Sequence, residues 1–486
     1  MTLTTTSSSR RWSALALIVT AQFMVILDVA IVNVALPSIK SDLGFSSTSL
    51  QWVVSAYAIL FGGALLLGGR LADLIGRRRL FVTGILVFAA SSVLCGLAWS
   101  EASLIAFRAL QGLGGALLAP AALSLLVTSF AEGRERNLAL GIYGAASGSG
   151  AAVGVLLGGL LTSYLSWSWI FFINVPVGIA AALLAPVVLR ESRPDLGHRH
   201  FDFAGAATVT GGLMLFVYAL TRGTSHGWDT PETLSLLAAS IALIGAFLVI
   251  ELRSPWPLLP LRIFRSRALS TANGAMTILG AVTFSEFFIL ALYLQEVLHY
   301  SAIQSGVAFT GFALTVVVVS NLAQLVVARV GVRTTLTAGL LMSAASVAYL
   351  TRLPVDGHYF WDMFPAFVLG GAGLGLAFVP VTIASLAGVD RTDAGIASGL
   401  VNTSRQIGGA IGIAATTAIA SSSTSHFGAP AGSAAALDHG YQTALYVLTG
   451  LLLAGAALTG ALLRTPAPAP VSELRRAESR PVSEAA

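Results

Sequence analysis

Apolar runs of about twenty residues recur from one end of the chain to the other, separated by short polar segments rich in arginine. A run of that length crosses roughly 30 Å of hydrocarbon as an α-helix. The runs lack the two-residue alternation of barrel strands and are filled with Ala, Leu and Gly, which predicts helices. Spans are predicted at 13–34, 48–69, 79–98, 103–128, 137–162, 167–189, 203–221, 232–252, 268–297, 302–327, 334–351, 360–386, 395–420 and 441–463. Composition agrees: of 486 residues 56% are hydrophobic and only 10% charged, against about 25% charged in soluble domains. Lipid must therefore be the solvent, and the expected class is an all-α polytopic membrane protein.

Charge sets the orientation. With fourteen spans, twenty-two Lys and Arg residues fall on one side and three (Lys40, Arg222 and Arg352) on the other, while Arg108 and Arg405 lie inside spans. The basic side is cytoplasmic by the positive-inside rule, so both termini are expected in the cytoplasm. The net charge of +5 thus reports topology and not nucleic-acid binding. The first run is too long for the core of a signal peptide and is expected to remain as a helix.

Two windows match at an offset of 255, "IGRRRLFVTG" at 75–84 and "VGVRTTLTAG" at 330–339, aligning Gly76 with Gly331 and Gly84 with Gly339. Pro120 has a later counterpart in Pro380. The expected organisation is a cytoplasmic tail (1–12), a six-helix half (13–190), two inserted helices with their loops (191–267), a second six-helix half (268–463) and a cytoplasmic tail (464–486). Repeated halves with a site at their interface are a transporter architecture.

Three groups of residues carry candidate chemistry. Asp28 lies in "FMVILDVAIVNVALP", about 9 Å from the outer end of the first span, and Arg108 about 8 Å below the same surface. A carboxylate in hydrocarbon costs something like 2.5–3.5 kcal/mol even on lenient scales, and intramembrane acids are functional sites by default. Desolvation disfavours a charged carboxylate and a neighbouring cation favours it, so such an acid can load and release a proton. A structural ion pair is the competing reading. Glu286, in the ninth span, is a second candidate that can face Asp28 across a central space. Next, "GGRLADLIGRRRL" (68–80) places Gly69, Asp73, Gly76, Arg77 and Arg78 in a cytoplasmic loop. Third, Gly150, Gly154 and Gly158 recur every four residues on one face of the fifth span, a surface for close backbone contact. Asn33, Trp52, Tyr57, Tyr143, Gln295, Asn402 and Arg405 are candidates to line a cavity for lipophilic cargo, although aromatic residues facing lipid are commoner.

The loop G-x-L-A-D-x-x-G-R-R at 69–78 resembles the signature loop of the major facilitator superfamily. "ILDVAIVNVALPSI", "LQWVVSAYAIL", "RALQGLGGALLAPA", "WSWIFFINVPVG", "YLQEVLHYSAIQSGVAF" and "AGIASGLVNTSRQIGGAIG" look like its fourteen-helix drug:proton antiporter branch, the EmrB/QacA type. The resemblance covers all but the tails and the inserted pair. It implies the major facilitator fold, with fourteen transmembrane helices as two six-helix halves plus two inserted central helices. It also implies proton-coupled drug efflux by a monomer in the bacterial cytoplasmic membrane, with no cofactor beyond the proton gradient and a small lipophilic cargo, anionic, neutral or cationic, of which the two membrane acids favour the cationic. In that family the loop Asp and Arg form a latch for the outward-facing state. Ala328 stands at the second-half position of Asp73, so that latch should be weak there. The glycine-rich stretch of the family's exporters serves as an interface between halves; here Val155 replaces the usual Pro.

Other classes fit less well. Lys40 is the only lysine, which excludes the Gly-Lys-Ser/Thr cradle of a P-loop. Membrane transferases need clustered Asp for metal-bound diphosphate, and the chain has none; His198 and His200 are too isolated for a metal site. Cys95 is the single cysteine, so no disulfide can form within the chain. No filter-like segment suggests a channel. A nutrient importer on the same fold remains the alternative, without the Gln- and Asn-rich second half that a sugar site would want.

Overall fold

A computed structural model describes residues 3–46, 48–130, 134–191, 202–255, 257–259, 261–387, 394–427, 430 and 433–463; the side chains of some helical residues, Arg70 and Asp73 among them, lie outside that description. The helices are α1 (Leu3–Leu43), α2 (Trp52–Ile75), α3 (Arg77–Gly96), α4 (Glu101–Ser129), α5 (Arg134–Tyr164), α6 (Trp169–Phe172), α7 (Asn174–Val188), α8 (Phe203–His226), α9 (Pro231–Arg253), α10 (Arg267–Leu292), α11 (Ala302–Leu350), α12 (Phe364–Leu386), α13 (Ala394–His426) and α14 (Ala434–Leu462). Ten helical stretches among the described residues are long and apolar enough to cross a membrane.

Local chemistry sets several starts. Ser100 and Ser103 form a reciprocal capping box at α4, and Ser301 with Gln304 does the same at α11, satisfying amide donors that a helix start leaves open. Asp202 caps α8 through the Gly205 amide at 2.7 Å. Thr230 caps α9, with Pro231 in its first turn, where a missing amide donor costs nothing.

The expected boundaries differ in two places, and a third agrees. The first twelve residues are not a separate tail: α1 begins at Leu3, and Arg10 donates to the Val187 carbonyl at 2.9 Å, holding this end against the end of α7. The sixth predicted span is broken at Ile173 into α6 and α7. The tenth and eleventh predicted spans are the two limbs of α11, separate helices that meet at Gly331, whose φ of 84° and ψ of 165° are not helical.

The sequence repeat has a structural counterpart. Gly76, between α2 and α3, and Gly331, inside α11, have φ of 110° and 84°, a region that L side chains occupy only at a cost. A Cβ on Gly84 would meet the Leu118 amide nitrogen at 2.7 Å, and one on Gly339 would meet that of Ala377 at 2.8 Å. The α3–α4 packing is thus repeated where the second limb of α11 meets α12.

α1–α7 pack on one another, as do α10–α14. The two sets meet where α5 lies against α11 and α2 against α13, and α1 also touches α10. α8 and α9 form a pair whose α8 rests on both α2 and α13.

Candidate functional site

Asp28 is wholly buried and Arg108 is 1% exposed. The structure brings them together: Arg108 Nη1 donates to Asp28 Oδ2 at 2.7 Å. Gln111 Nε2 and Asn174 Nδ2 donate to the other oxygen, Oδ1, at 2.8 and 2.9 Å. Arg108 also gives Nε to the Val53 carbonyl at 2.9 Å and Nη1 to Gln111 Oε1 at 2.6 Å, and Gln111 donates to Ser92 Oγ at 2.8 Å. The Tyr57 ring lies beneath the guanidinium, 4.4 Å from Cζ to centroid, a cation–π contact strengthened where water is absent. The site therefore draws on α1, α2, α3, α4 and α7. A buried carboxylate with three donors is tolerated, whereas an isolated one is not. Arg108 and Gln111 are three residues apart, which puts both on one face of α4. That spacing was the only advance signal for Gln111, and nothing in the sequence pointed to Asn174.

Asp28 is turned into its own bundle rather than toward Glu286. Glu286 is 5% exposed, and its carboxyl has no hydrogen bond or ion pair among the described residues. Glu286 is not among the partners of the Asp28 carboxylate, which are Arg108 and Gln111 of α4 and Asn174 of α7.

The cavity candidates divide. Tyr57, at 1% exposure, belongs to the Arg108 network rather than to an open lining. Trp52 is buried against Tyr218 of α8 at 6.4 Å between ring centroids. Tyr143 donates to Gln22 at 2.7 Å. Asn33 donates to the Val29 carbonyl of its own helix, leaving Oδ1 buried without a partner. Gln295 donates to the Val34 carbonyl at 2.9 Å, joining α10's extension to α1. Asn402 is half-buried on α13, and Arg405 beside it has a buried Nε without a partner.

In the signature loop, Gly76 supplies the corner, and the Arg78 amide and guanidinium both meet Glu191, with N–O distances of 3.2 and 3.8 Å. Arg78 also donates to the Pro186 carbonyl at 3.4 Å. Glu191 was not singled out from the sequence. The expected Asp73 side-chain contact lies outside the described residues, and Gly69 approaches only Pro120, at 3.9 Å from a notional Cβ. The glycine stripe of α5 does not face the other bundle as the resemblance implied. Cβ atoms on Gly150, Gly154 and Gly158 would meet the carbonyls of Phe23, Leu27 and Ile31 at 3.1, 2.9 and 2.7 Å, all on α1. The other bundle is met by the adjacent face: Gly306 of α11 abuts the Val155 carbonyl, and Ala302 lies against Gly159.

A family model described as Major Facilitator Superfamily matches residues 18–413. The chain is 41% identical to a puromycin resistance protein of Streptomyces alboniger, covering 93% of this chain and 92% of that one. It is equally identical to a cephamycin export protein of Amycolatopsis lactamdurans, covering 94% of each. A multidrug transporter of Bacillus subtilis is 32% identical over 83% of this chain and 74% of its own. Among solved structures, a crystal structure of the peptide transporter POT superposes with a TM-score of 0.67 at 19% identity, covering 92% of this chain and 95% of that one. That likeness speaks for the fold alone.

Proposed function

This chain belongs to the major facilitator superfamily, and from that premise we propose that it exports lipophilic drugs, antibiotics or toxic metabolites in exchange for protons. It is a multi-pass membrane transporter and not an enzyme. The observation that carries the reading is the buried Asp28–Arg108 pair, set in a chain whose relatives over nine-tenths of its length include proteins named for drug resistance and export.

In this reading α6 with α7 makes one crossing and bent α11 makes two, so the chain crosses fourteen times with both termini in the cytoplasm. The six-helix halves, 13–190 and 268–463, rock against each other, with 191–267 an insertion. Asp28 exchanges the proton, Arg108 holds and releases its charge, and Glu286 is a second proton site in the other half. Gly69, Asp73, Gly76, Arg77 and Arg78 form the cytoplasmic latch. Gly150, Gly154 and Gly158 let α5 slide on α1 as the halves move. Asn33, Trp52, Tyr57, Tyr143, Gln295, Asn402 and Arg405 lie in or around the path of the cargo. The transporter works as a monomer in the bacterial cytoplasmic membrane and draws on the proton gradient without a cofactor. A cationic cargo fits the two membrane acids.

The test is dye uptake into everted vesicles under an imposed pH gradient, acid inside. Asp28→Asn abolishes gradient-driven transport while the protein remains inserted at the normal level. Wild-type transport by Asp28→Asn overturns the proton-site assignment.

A further inference from the structure

Arg405 lies eleven residues into α13, about 16 Å along its axis, at membrane depth. Its neighbours are committed to helix packing. Thr403 donates to the Gly62 carbonyl of α2 at 3.1 Å, and Ser404 donates to Asn273 of α10 at 2.9 Å. The Arg405 carbonyl is pressed against Gly280 of α10, and Gln406 Cβ against Gly62. The guanidinium, by contrast, forms no hydrogen bond or ion pair with any described residue, and its Nε is buried. A guanidinium carries five donors and stays charged; Arg405 is only half-buried, so its buried Nε lacks an acceptor while the rest of the fork is open to one.

Two other unpartnered polar atoms lie nearby. Gln406, 2% exposed, has a buried Oε1 without a donor. The Tyr57 hydroxyl is buried and without a partner, and Tyr57 is within electrostatic reach of Arg405. Tyr57 belongs to one half and Arg405 to the other, so the three groups stand where α2 and α13 bring the halves together. They offer a planar cation and one hydroxyl donor, with an amide at the side.

We infer that Arg405, with the Tyr57 hydroxyl and the Gln406 amide, is a binding subsite for the anionic or carbonyl oxygens of the cargo, a carboxylate above all. The inference rests on the export function proposed above and names the substrate class it takes. It adds anionic compounds to the cationic cargo that the two membrane acids favour. Because the Tyr57 ring also lies under Arg108, an anion drawn to Arg405 sits one side chain away from the Asp28 network. Cargo binding and proton exchange then share a residue.

The experiment uses the purified full-length protein in proteoliposomes with an imposed pH gradient. Its probes are fluorescein, the methyl ester of fluorescein's carboxyl group, which lacks the carboxylate, and the cation ethidium. Binding of the same probes is read by fluorescence anisotropy. Arg405→Gln weakens fluorescein binding and export about tenfold or more, the effect of losing charged hydrogen bonds, while ethidium export changes several-fold less. Arg405→Lys recovers part of the fluorescein signal, since it restores the charge without the planar fork. Equal loss of all three probes in both variants makes Arg405 a packing residue and overturns the inference, as does unchanged fluorescein binding in Arg405→Gln. Ethidium export without fluorescein binding by the wild type sinks this subsite and leaves the export function standing. A wild type that binds fluorescein through Arg405 but exports no probe keeps the subsite and sinks the export reading.

Discussion

A single ion pair in the first bundle joins four helices through side chains and a fifth through a backbone carbonyl. With both partners below 2% exposure, removing one leaves the other charge buried and uncompensated, which costs about 3–5 kcal/mol, whereas removing both charges is far milder. Arg108→Gln is therefore expected to lower the thermal midpoint of the detergent-solubilised protein sharply. The double variant Asp28→Asn/Arg108→Gln should regain most of that loss, and neither should transport under a pH gradient. A double variant as unstable as the single one would mean that Arg108 acts through its packing on Tyr57 and Phe171 rather than through its charge. Asp28 and Arg108 were legible in the sequence because a charge in a long apolar run is expensive wherever it points. Gln111 and Asn174 were not, because an uncharged polar side chain in a span is tolerated in many settings, and its partner is chosen by tertiary position. For the same reason the contact of the Tyr57 ring with the Arg108 guanidinium left no trace in the sequence.

Most helices were readable to within a few residues, since hydrocarbon thickness dictates their length; α1, which runs well past its predicted span at both ends, was not. Interruptions were less readable: the break at Gly331 fell between two predicted spans, whereas nothing in the apolar pattern marks the one at Ile173. Glycine spacing predicted close packing of α5 correctly but not the partner, because a stripe reports a face and not what covers it. That partner makes a prediction. A Cβ on Gly154 already lies 2.9 Å from Ala30 Cβ, so Gly154→Val must push α5 away from α1. Overpacking of this kind costs about 1–3 kcal/mol, to be read as a lowered melting midpoint together with slower efflux. Gly450, also within a helix, has nothing within 4 Å of a notional Cβ. Gly450→Ala should be neutral or stabilising by up to about 1 kcal/mol, from helix propensity alone. Equal melting of the two variants would show that the α1–α5 contact yields freely and that the stripe has no packing role.

At the scale of the whole molecule, the halves are fastened at the end of α1 that the positive-inside rule places outside. Lys40 pairs with Glu296, which accepts a further hydrogen bond from Tyr441 of α14 at 3.3 Å. Gln295 binds the Val34 carbonyl, and Ser163 accepts the Ile303 amide at 3.0 Å. Lys40, the one lysine, was noticed in the sequence only as a stray charge on the sparse side, since a pair 256 residues apart leaves no local trace. An alternating-access cycle must break this closure, so the ion pair should set how often the outer side opens. The two side chains are 23% and 19% exposed, so water weakens their attraction, and a value near 1 kcal/mol is reasonable for such a pair. Losing it shifts a two-state opening equilibrium about fivefold. Cys95 is buried, which leaves the native chain nearly silent to thiol reagents, so an Asn33→Cys reporter can be labelled from outside with a membrane-impermeant maleimide. Labelling should rise about two- to fivefold in Glu296→Gln and in Lys40→Ala, and the double variant should rise no further than either single one, since both break the same contact. Additive increases would mean that the two residues act separately. No increase in any variant would place the outer closure in the backbone contacts of Gln295 and Ser163 instead.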